Sequence, residues 1–256
     1  MATTKKTVLI TGSTRSIGLA LAEYYTKQGW NVIGNDACQQ QHRSGIIYHI
    51  MPDSNTSHLM ALSPFKTVVM EVSDEASILE AARQLEGVPI DLLINNAGIY
   101  IGDDLKSATK DSFMRQFEVN AVGPFLVTRT LLPNLELAAK NHGSATVAQV
   151  SSFLGSIGCN TSDMEQYFGQ SYTYAASKVA LNMVSRSMSV GLRDSNIAFV
   201  VLNPGYVDTD MNNHQGYLKP SESAEAMANI VANLSMKDTG KFFNADKQFG
   251  GLDLPW

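Results

Sequence analysis

The chain has 256 residues, 44% hydrophobic and 17% charged, and its 19 Lys and Arg against 24 Asp and Glu give a formal net charge of −5. A chain of this size forms one large domain or two small ones with an ample core, and its ordinary apolar content excludes a disordered polypeptide. A mildly acidic balance without a dense Lys/Arg run argues against nucleic-acid or anionic-membrane binding.

In chain order, residues 7–10 form a short apolar run that stops at Gly12, and 19–27 read as a helix closed by Gly29. A second strand covers 31–34. The polar, aperiodic stretch 38–64, with Pro52 and Pro64, is expected to be mostly loop with at most one irregular helix. A third strand is predicted over 67–72, then a helix over 75–85 capped by Asp74 or Ser73, a fourth strand over 90–95, and one long helical stretch over 110–140. A fifth strand (145–151), a helix (172–193), a sixth strand (197–203), a helix (221–234) and a short last strand (241–244) complete the pattern. Strands alternating with helices imply right-handed βαβ units, hence an α/β fold in which one doubly wound parallel sheet is covered on both faces. No repeat or linker divides the chain, so a single domain over 1–256 is expected.

TGSTRSIG (11–18) lies between the first strand and the first helix. Main-chain N–H groups at a helix N-terminus carry partial positive charge and bind a pyrophosphate, and Gly12 and Gly18 let the chain turn and approach it closely. Thr14, Arg15, Ser16 and Ile17 complete this candidate loop. Asp36 follows 24 residues beyond Gly12, where a carboxylate can accept both ribose hydroxyls of an adenosine and repel a 2′-phosphate. The Arg15 guanidinium pulls the other way, toward a 2′-phosphate. Asp36 is expected to prevail, which favours NAD, with NADP as the alternative.

In YAASK (174–178) the four-residue spacing puts a phenol and an ammonium on one helical face. The cation is expected to lower the phenol pKa, so that Tyr174 exchanges a proton near neutral pH. Ser151 and Ser152 end the fifth strand, Asn95, Asn96, Ala97 and Gly98 the fourth, and Asn203, Pro204 and Gly205 the sixth. The carboxyl ends of parallel strands are where such sheets bind ligands. Asn120, within the following helical stretch, is a polar residue that needs a partner if buried.

TGSTRSIG, NNAG (95–98), Asn120, the serine pair, YAASK and NPGYVDT (203–209) occur in the order and at roughly the separations of the short-chain dehydrogenase/reductase family, which the chain resembles over nearly its whole length. The closing GKFFNADKQFGGLDLPW is similar to the carbonyl-reductase-like branch. The resemblance implies a Rossmann fold with a dinucleotide half over about 1–140 and a substrate side over about 141–256. It implies a nicotinamide cofactor and hydride transfer to or from a small carbonyl or alcohol substrate. Tyr174 would be the general acid or base, Lys178 would bind the nicotinamide ribose and lower the Tyr174 pKa, Ser152 would hold the substrate oxygen, and Asn120 would hold a water linking Lys178 to solvent. Gly12, Ile17 and Gly18 would cradle the pyrophosphate, Asn96 to Gly98 would line the adenosine side, and Val207 with Thr209 would hold the carboxamide; Pro204 and Gly205 belong to the same loop. Three departures stand out: Ser16 replaces the middle loop glycine, Glu71 ahead of Val72 replaces the Asp that meets adenine, and 22 residues separate Ser152 from Tyr174. That separation implies an insertion over about 158–170 beside the pocket.

The five histidines show no ligand spacing, so no metal is expected. Two cysteines, Cys38 and Cys159, cannot staple a disulfide scaffold and fit a reducing compartment. The short MATTKK lead-in leaves no signal-peptide core, and no apolar stretch reaches the about eighteen residues of a membrane span, so a cytoplasmic location is expected. Residues 206–219, with Met211, His214 and Tyr217, lack periodicity and are expected to form a mobile lid over the substrate. The substrate wall would come from 99–104, 153–172 and 206–217. The helix over 172–193 is apolar around more than one stripe, which implies a second cover: a partner subunit, as in the family's dimers and tetramers, or the C-terminal segment. The rival readings are a catalytically silent dinucleotide-binding sensor, which needs none of Ser152, Tyr174, Lys178 and Asn120, and an epimerase or dehydratase.

Overall fold

The computed structural model describes residues 5–36, 56–247 and 250–256, with the main chain alone at Asp36. Seven strands form one sheet: β1 (Thr7–Ile10), β2 (Asn31–Asp36), β3 (Lys66–Val69), β4 (Leu92–Asn95), β5 (Ala145–Val150), β6 (Ile197–Asn203) and β7 (Lys241–Asn244). All neighbours pair parallel in the order β3-β2-β1-β4-β5-β6-β7. The order reverses between β1 and β4, the switch point where a doubly wound sheet opens a crevice at its carboxyl edge.

Strand alternation divides the core. Val8 and Ile10 face one side with Leu92 and Ile94, and pack against Leu21, Ala22 and Tyr25 of α1 (Ser16–Lys27). Leu9 and Leu93 face the other, against Ile78 and Ala81 of α3 (Glu75–Gln84). α2 (Thr56–Ala61) adds Leu59 to the first layer. The loop expected over 38–64 lies outside the described residues as far as 55, and α2 occupies part of the remainder. Asp74 caps α3, its carboxylate accepting from Ala76 N–H at 2.9 Å.

The stretch over 110–140 is not one helix. It comprises α4 (Lys110–Phe117), a π turn (Glu118–Val122), α5 (Gly123–Thr130) and α6 (Leu132–His142). Pro124 and Pro133 carry no N–H for a continuous ladder and sit in the first turns of α5 and α6, where none is needed. A Cβ at Gly123 would lie 2.6 Å from the Val72 carbonyl oxygen, so only glycine lets the chain pass here. The third strand also stops earlier than the pattern predicts. Beyond Val69 the Met70 carbonyl accepts from Asn35 Nδ2, and Glu71 turns its carboxylate onto Ser73, so these residues leave the ladder.

α7 (Glu165–Phe168), α8 (Tyr172–Gly191) and α9 (Pro220–Ala232) follow. α9 joins α1 through Ala224, Met227 and Ala228. On α8, Tyr174, Ser177, Lys178 and Leu181 are buried, whereas Met183 and Val190 are exposed. The tail over 250–256 does not cover that apolar face; it runs along β7, with Leu254 N–H on the Phe242 carbonyl at 2.9 Å. Among the described residues no helix is long and apolar enough to cross a membrane.

Candidate active site

The loop after β1 is held from three sides. Gly12 takes the left-handed φ of 64° and donates its N–H to Asn35 Oδ1 at 2.9 Å. Asn35 in turn receives the Ser13 hydroxyl on its carbonyl and donates its own N–H to Ser13 Oγ. From the neighbouring strand, Asn96 Nδ2 donates to the Thr11 and Gly12 carbonyls at 2.9 and 3.2 Å, and Thr11 Oγ1 accepts from the N–H groups of Asn96 and Ala97. A Cβ at Gly18 would lie 2.0 Å from the Gly12 oxygen, so helix and loop approach to a distance only glycine permits.

Ser16 also adopts a left-handed φ, 47°. A non-glycine residue holds that conformation at a strain of about 1–2 kcal/mol. Asp74 and Glu75 stabilise the start of α3, but the first turn of α1 holds no acidic residue and its N-cap, Arg15, makes no side-chain capping bond. A tight glycine cradle under a helix N-terminus without a carboxylate suits a pyrophosphate. Thr14 is buried, and Ile17 half-buried, in the same loop.

Of the predicted adenosine contacts, Asp36 has no described side chain. The Glu71 carboxylate is occupied by the N–H and hydroxyl of Ser73, at 3.0 and 2.7 Å. Val72 is buried against Gly123.

Four of the predicted residues converge where β4, β5 and α8 meet. Ser151 is turned into the core, its hydroxyl donating to Asn182 Oδ1 at 2.7 Å. Ser152 instead hydrogen-bonds the Tyr174 phenol, and its Oγ accepts from Leu154 N–H at 3.2 Å. Lys178 is buried and donates from Nζ to the Val150 carbonyl at 2.9 Å. Asn120 sits in the π turn, Oδ1 accepting from Ile99 N–H and Nδ2 donating to the Ile99 carbonyl and Ser177 Oγ. π turns within helices are frequent at functional sites. A Cβ at Gly98 would lie 3.1 Å from Asn120 Oδ1 and 3.6 Å from Lys178 Nζ, so Gly98 leaves room around both.

Burial pushes the Tyr174 phenol up to about 12, against the downward pull of the Ser152 hydrogen bond, and Tyr100 adds a small upward push. Burial brings the Lys178 amine down to about 8. The amine lies over the phenol ring, 5.6 Å from its centroid, and is bonded to the Val150 carbonyl. Desolvation therefore outweighs the cation.

After β6, the Pro204 carbonyl accepts from Ser223, and Gly205 has a φ of 87°. Val207 is buried and bridges to Leu218, while Thr209 N–H donates to Asn212 Oδ1 at 3.2 Å. His214 lies between Asp208 and Asp210, 2.7 and 3.0 Å away, and the Asp208 hydrogen bond raises its pKa. Asp210 is also 3.9 Å from the Arg15 guanidinium, so this segment touches the loop after β1. The insertion forms a 3-10 turn (Ser162–Met164) and α7. A cavity of about 530 Å³ lies between it and the outer face of α8, lined by Leu154, Ile157, Phe168, Tyr172 and Val179; neither Ser152 nor Tyr174 borders it. Among the described residues no group of three His, Cys, Asp or Glu could hold a metal ion.

Several supporting residues escaped the sequence reading. Asn35, one residue before Asp36, holds Gly12, and its signal is an Asn at the carboxyl end of the second strand, just after Val32, Ile33 and Gly34. Asn182 holds both Ser151 and the Gly155 carbonyl. Asp103, buried in a loop, accepts from the N–H and hydroxyl of Thr173, and Gln116 donates to that hydroxyl, which anchors the first turn of α8 just before Tyr174. Tyr100 packs edge-on against Tyr174, ring centroids 5.1 Å apart.

A family model described as short chain dehydrogenase matches residues 6–217. C-signal of Myxococcus xanthus is 37% identical over 169 residues, 66% of this chain and 93% of that protein. Short-chain dehydrogenase anuI of Penicillium roqueforti is 31% identical over 242 residues, 93% of this chain and 92% of that protein. Among solved structures, the NADPH-bound carbonyl reductase from chicken fatty liver matches with a TM-score of 0.83 at 31% identity, over 98% of this chain and 99% of that one. A doubly wound sheet with a glycine cradle at its switch point, Ser152, Tyr174 and Lys178 at its carboxyl edge, and a family match across most of the sequence agree: the chain belongs to the short-chain dehydrogenase family.

Proposed function

We propose that the protein is an NAD(P)-dependent oxidoreductase acting on a carbonyl/secondary-alcohol pair, in the manner of a carbonyl reductase. The convergence of Ser152, Tyr174 and Lys178 beside the glycine cradle carries this reading. A nicotinamide dinucleotide, when bound, supplies or accepts the hydride. The Ser152 hydroxyl and the Tyr174 phenol both reach one substrate oxygen, so they orient it and share its developing charge. Tyr174, neutral at physiological pH with its phenol pushed up to about 12, donates the proton in reduction and must lose it for oxidation. Lys178, brought down to about 8, exchanges protons near neutrality, and in this reading it holds the ribose and returns a proton to the phenol. Asn120 fixes the Ile99 backbone and Ser177 around that amine.

Asp36 favours NAD, whereas Arg15 and the NADPH-bound chicken enzyme favour NADP. Parallel fluorescence titration with NADH and NADPH, then a carbonyl panel with the tighter cofactor, tests the reading. Asp36→Ala is expected to shift preference toward NADPH by about tenfold or more, since a carboxylate beside a 2′-phosphate is a like-charge contact. An unchanged preference would assign the choice to Arg15 or another group. C-signal, by its name, points to signalling and supports the binding-protein rival. Cofactor binding without turnover of any carbonyl would decide for that rival.

The segment over 206–219 serves as the lid. Its ends are tied down by the Pro204–Ser223 and Tyr217–Asp246 hydrogen bonds, while Met211 and His214 between them are exposed. Saturating cofactor is expected to slow proteolysis within 206–219 by about an order of magnitude. Equal cleavage rates with and without cofactor would rule the lid out.

A further inference from the structure

The helix that carries Tyr174 begins without a cap of its own. Ser171, the N-cap of α8, makes no side-chain capping bond and the first turn holds no acidic residue, whereas α3 and α4 are capped by Asp74 and Thr109 beside them. The cap comes instead from Asp103, 70 residues earlier in the loop after β4. Its Oδ2 accepts from Thr173 N–H at 3.2 Å, one of the donors that a first helical turn leaves unpaired. The same oxygen accepts the Thr173 hydroxyl, and that hydroxyl accepts from Gln116 Nε2 of α4. Gln116 also clamps the loop itself, Oε1 accepting from Ile101 N–H at 2.9 Å and Nε2 donating to the Ile101 carbonyl at 3.3 Å. Asp103, Gln116 and Thr173 are all buried, so a lost partner is not replaced by solvent, and a fully paired buried network of this kind specifies one geometry. A further residue of the loop reaches the phenol. The Tyr100 hydroxyl meets the Gln170 carbonyl and Ser171 Oγ at 3.3 and 3.2 Å, immediately before α8, and its ring packs edge-on against Tyr174.

Resting on the oxidoreductase reading above, we propose that Asp103, acting through Thr173, is a positioning residue for the proton donor: it holds the first turn of α8 where the Tyr174 phenol meets Ser152. Thr173 directly precedes Tyr174, and a helical side chain leans toward the helix N-terminus, so the place of the phenol follows that of the turn Asp103 holds. Without the cap the turn shifts and the phenol moves against Ser152. A displacement of about 1 Å at a reacting group costs about 10²-fold in rate, while the cradle at Gly12 and Gly18 stays intact.

The test pairs Asp103→Ala and Thr173→Val, which remove the carboxylate and the hydroxyl, with Asp103→Asn and Thr173→Ser, which keep an accepting oxygen and a hydroxyl. Acetophenone, cyclohexanone and 4-nitrobenzaldehyde are the probe carbonyls, and active sites are counted by titration with NADH and NADPH. In Asp103→Ala and Thr173→Val the kcat per cofactor-binding site is expected to fall about 10–100-fold, with the KM for the best probe and the cofactor dissociation constants within about twofold of the parent. Asp103→Asn and Thr173→Ser are expected to recover kcat to within about threefold of the parent. Amide exchange at Thr173 is expected to quicken by about tenfold in Asp103→Ala and to keep the parent rate in Asp103→Asn. A network that only supports the fold would lower the number of cofactor-binding sites and leave kcat per site unchanged. That result would overturn the proposal, as would cofactor affinity falling in step with kcat, no recovery in the conservative variants, or loss of cofactor binding in both Asp103→Ala and Thr173→Val. Absence of turnover of all three carbonyls by the parent protein, with exchange at Thr173 quickened in Asp103→Ala, would instead overturn the catalytic reading and the positioning role together.

Discussion

Tyr174→Phe is expected to lower turnover by about 10²–10⁴-fold while leaving cofactor dissociation constants within about twofold, because it removes one proton-transfer group and nothing that builds the cradle. The ring contacts survive the change: Tyr100 still meets the ring edge and the Lys178 amine still lies over its face. What is lost is the hydroxyl that bonds Ser152 and that burial keeps protonated, with a pKa of about 12. A steady-state assay with the preferred ketone, run beside cofactor fluorescence titration, separates the two effects. Turnover near the parent rate would remove Tyr174 from the proton-transfer role, and a parallel collapse of cofactor affinity would show that the substitution had damaged the cradle instead.

Lys178→Met is expected to abolish turnover and, at pH 7, to raise the stability of the fold. Burial holds the amine at about 8 against 10.5 for an ordinary lysine, so carrying the charge inside costs about 3 kcal/mol below pH 8. The hydrogen bond to the Val150 carbonyl returns about 1 kcal/mol of what its removal would otherwise gain, for a net stabilisation of about 2 kcal/mol. Between pH 8 and 10.5 the native protein binds fewer protons at this site than the unfolded chain, so parent stability rises with pH there and the advantage of the variant shrinks. Tyr174 acts in the opposite direction: its phenol is held near 12 against 10.0, so above pH 10 the native state binds the extra proton and stability falls. Urea unfolding of parent and variant at pH 7 and at about pH 10 measures both ends of the window. A variant less stable than the parent at pH 7 would mean that the buried amine stabilises the site. The gain in stability with loss of activity is what a functional buried charge predicts, since a group retained for packing would show neither.

The features of the site that are legible in the sequence are those set by local spacing. The strand and helix periods place Ser152, Asn96 and Asn203 at carboxyl strand ends, and the interval from Tyr174 to Lys178 places phenol and amine on one face of α8. Gly12 and Gly18 are legible because a turn and a close approach each demand a residue without Cβ, and the structure uses both for that reason. The break in the 110–140 stretch was also written locally, in Gly123, Pro124 and Pro133, but the apolar period masked it. The division of labour between Ser151 and Ser152 was not legible, because it depends on Asn182 arriving from another element.

By itself, then, the sequence determined the order of strands and helices, the doubly wound class, and the residues that could carry chemistry, because period, turn preference and motif spacing act over a few neighbouring positions. Only the tertiary structure decided that Asn35 holds the loop after β1, that burial raises the phenol and lowers the amine, and that Ser156 is tied to Pro255, 99 residues away. Desolvation and long-range hydrogen bonding sum over everything packed around an atom, and that sum exists only once the chain has closed on itself.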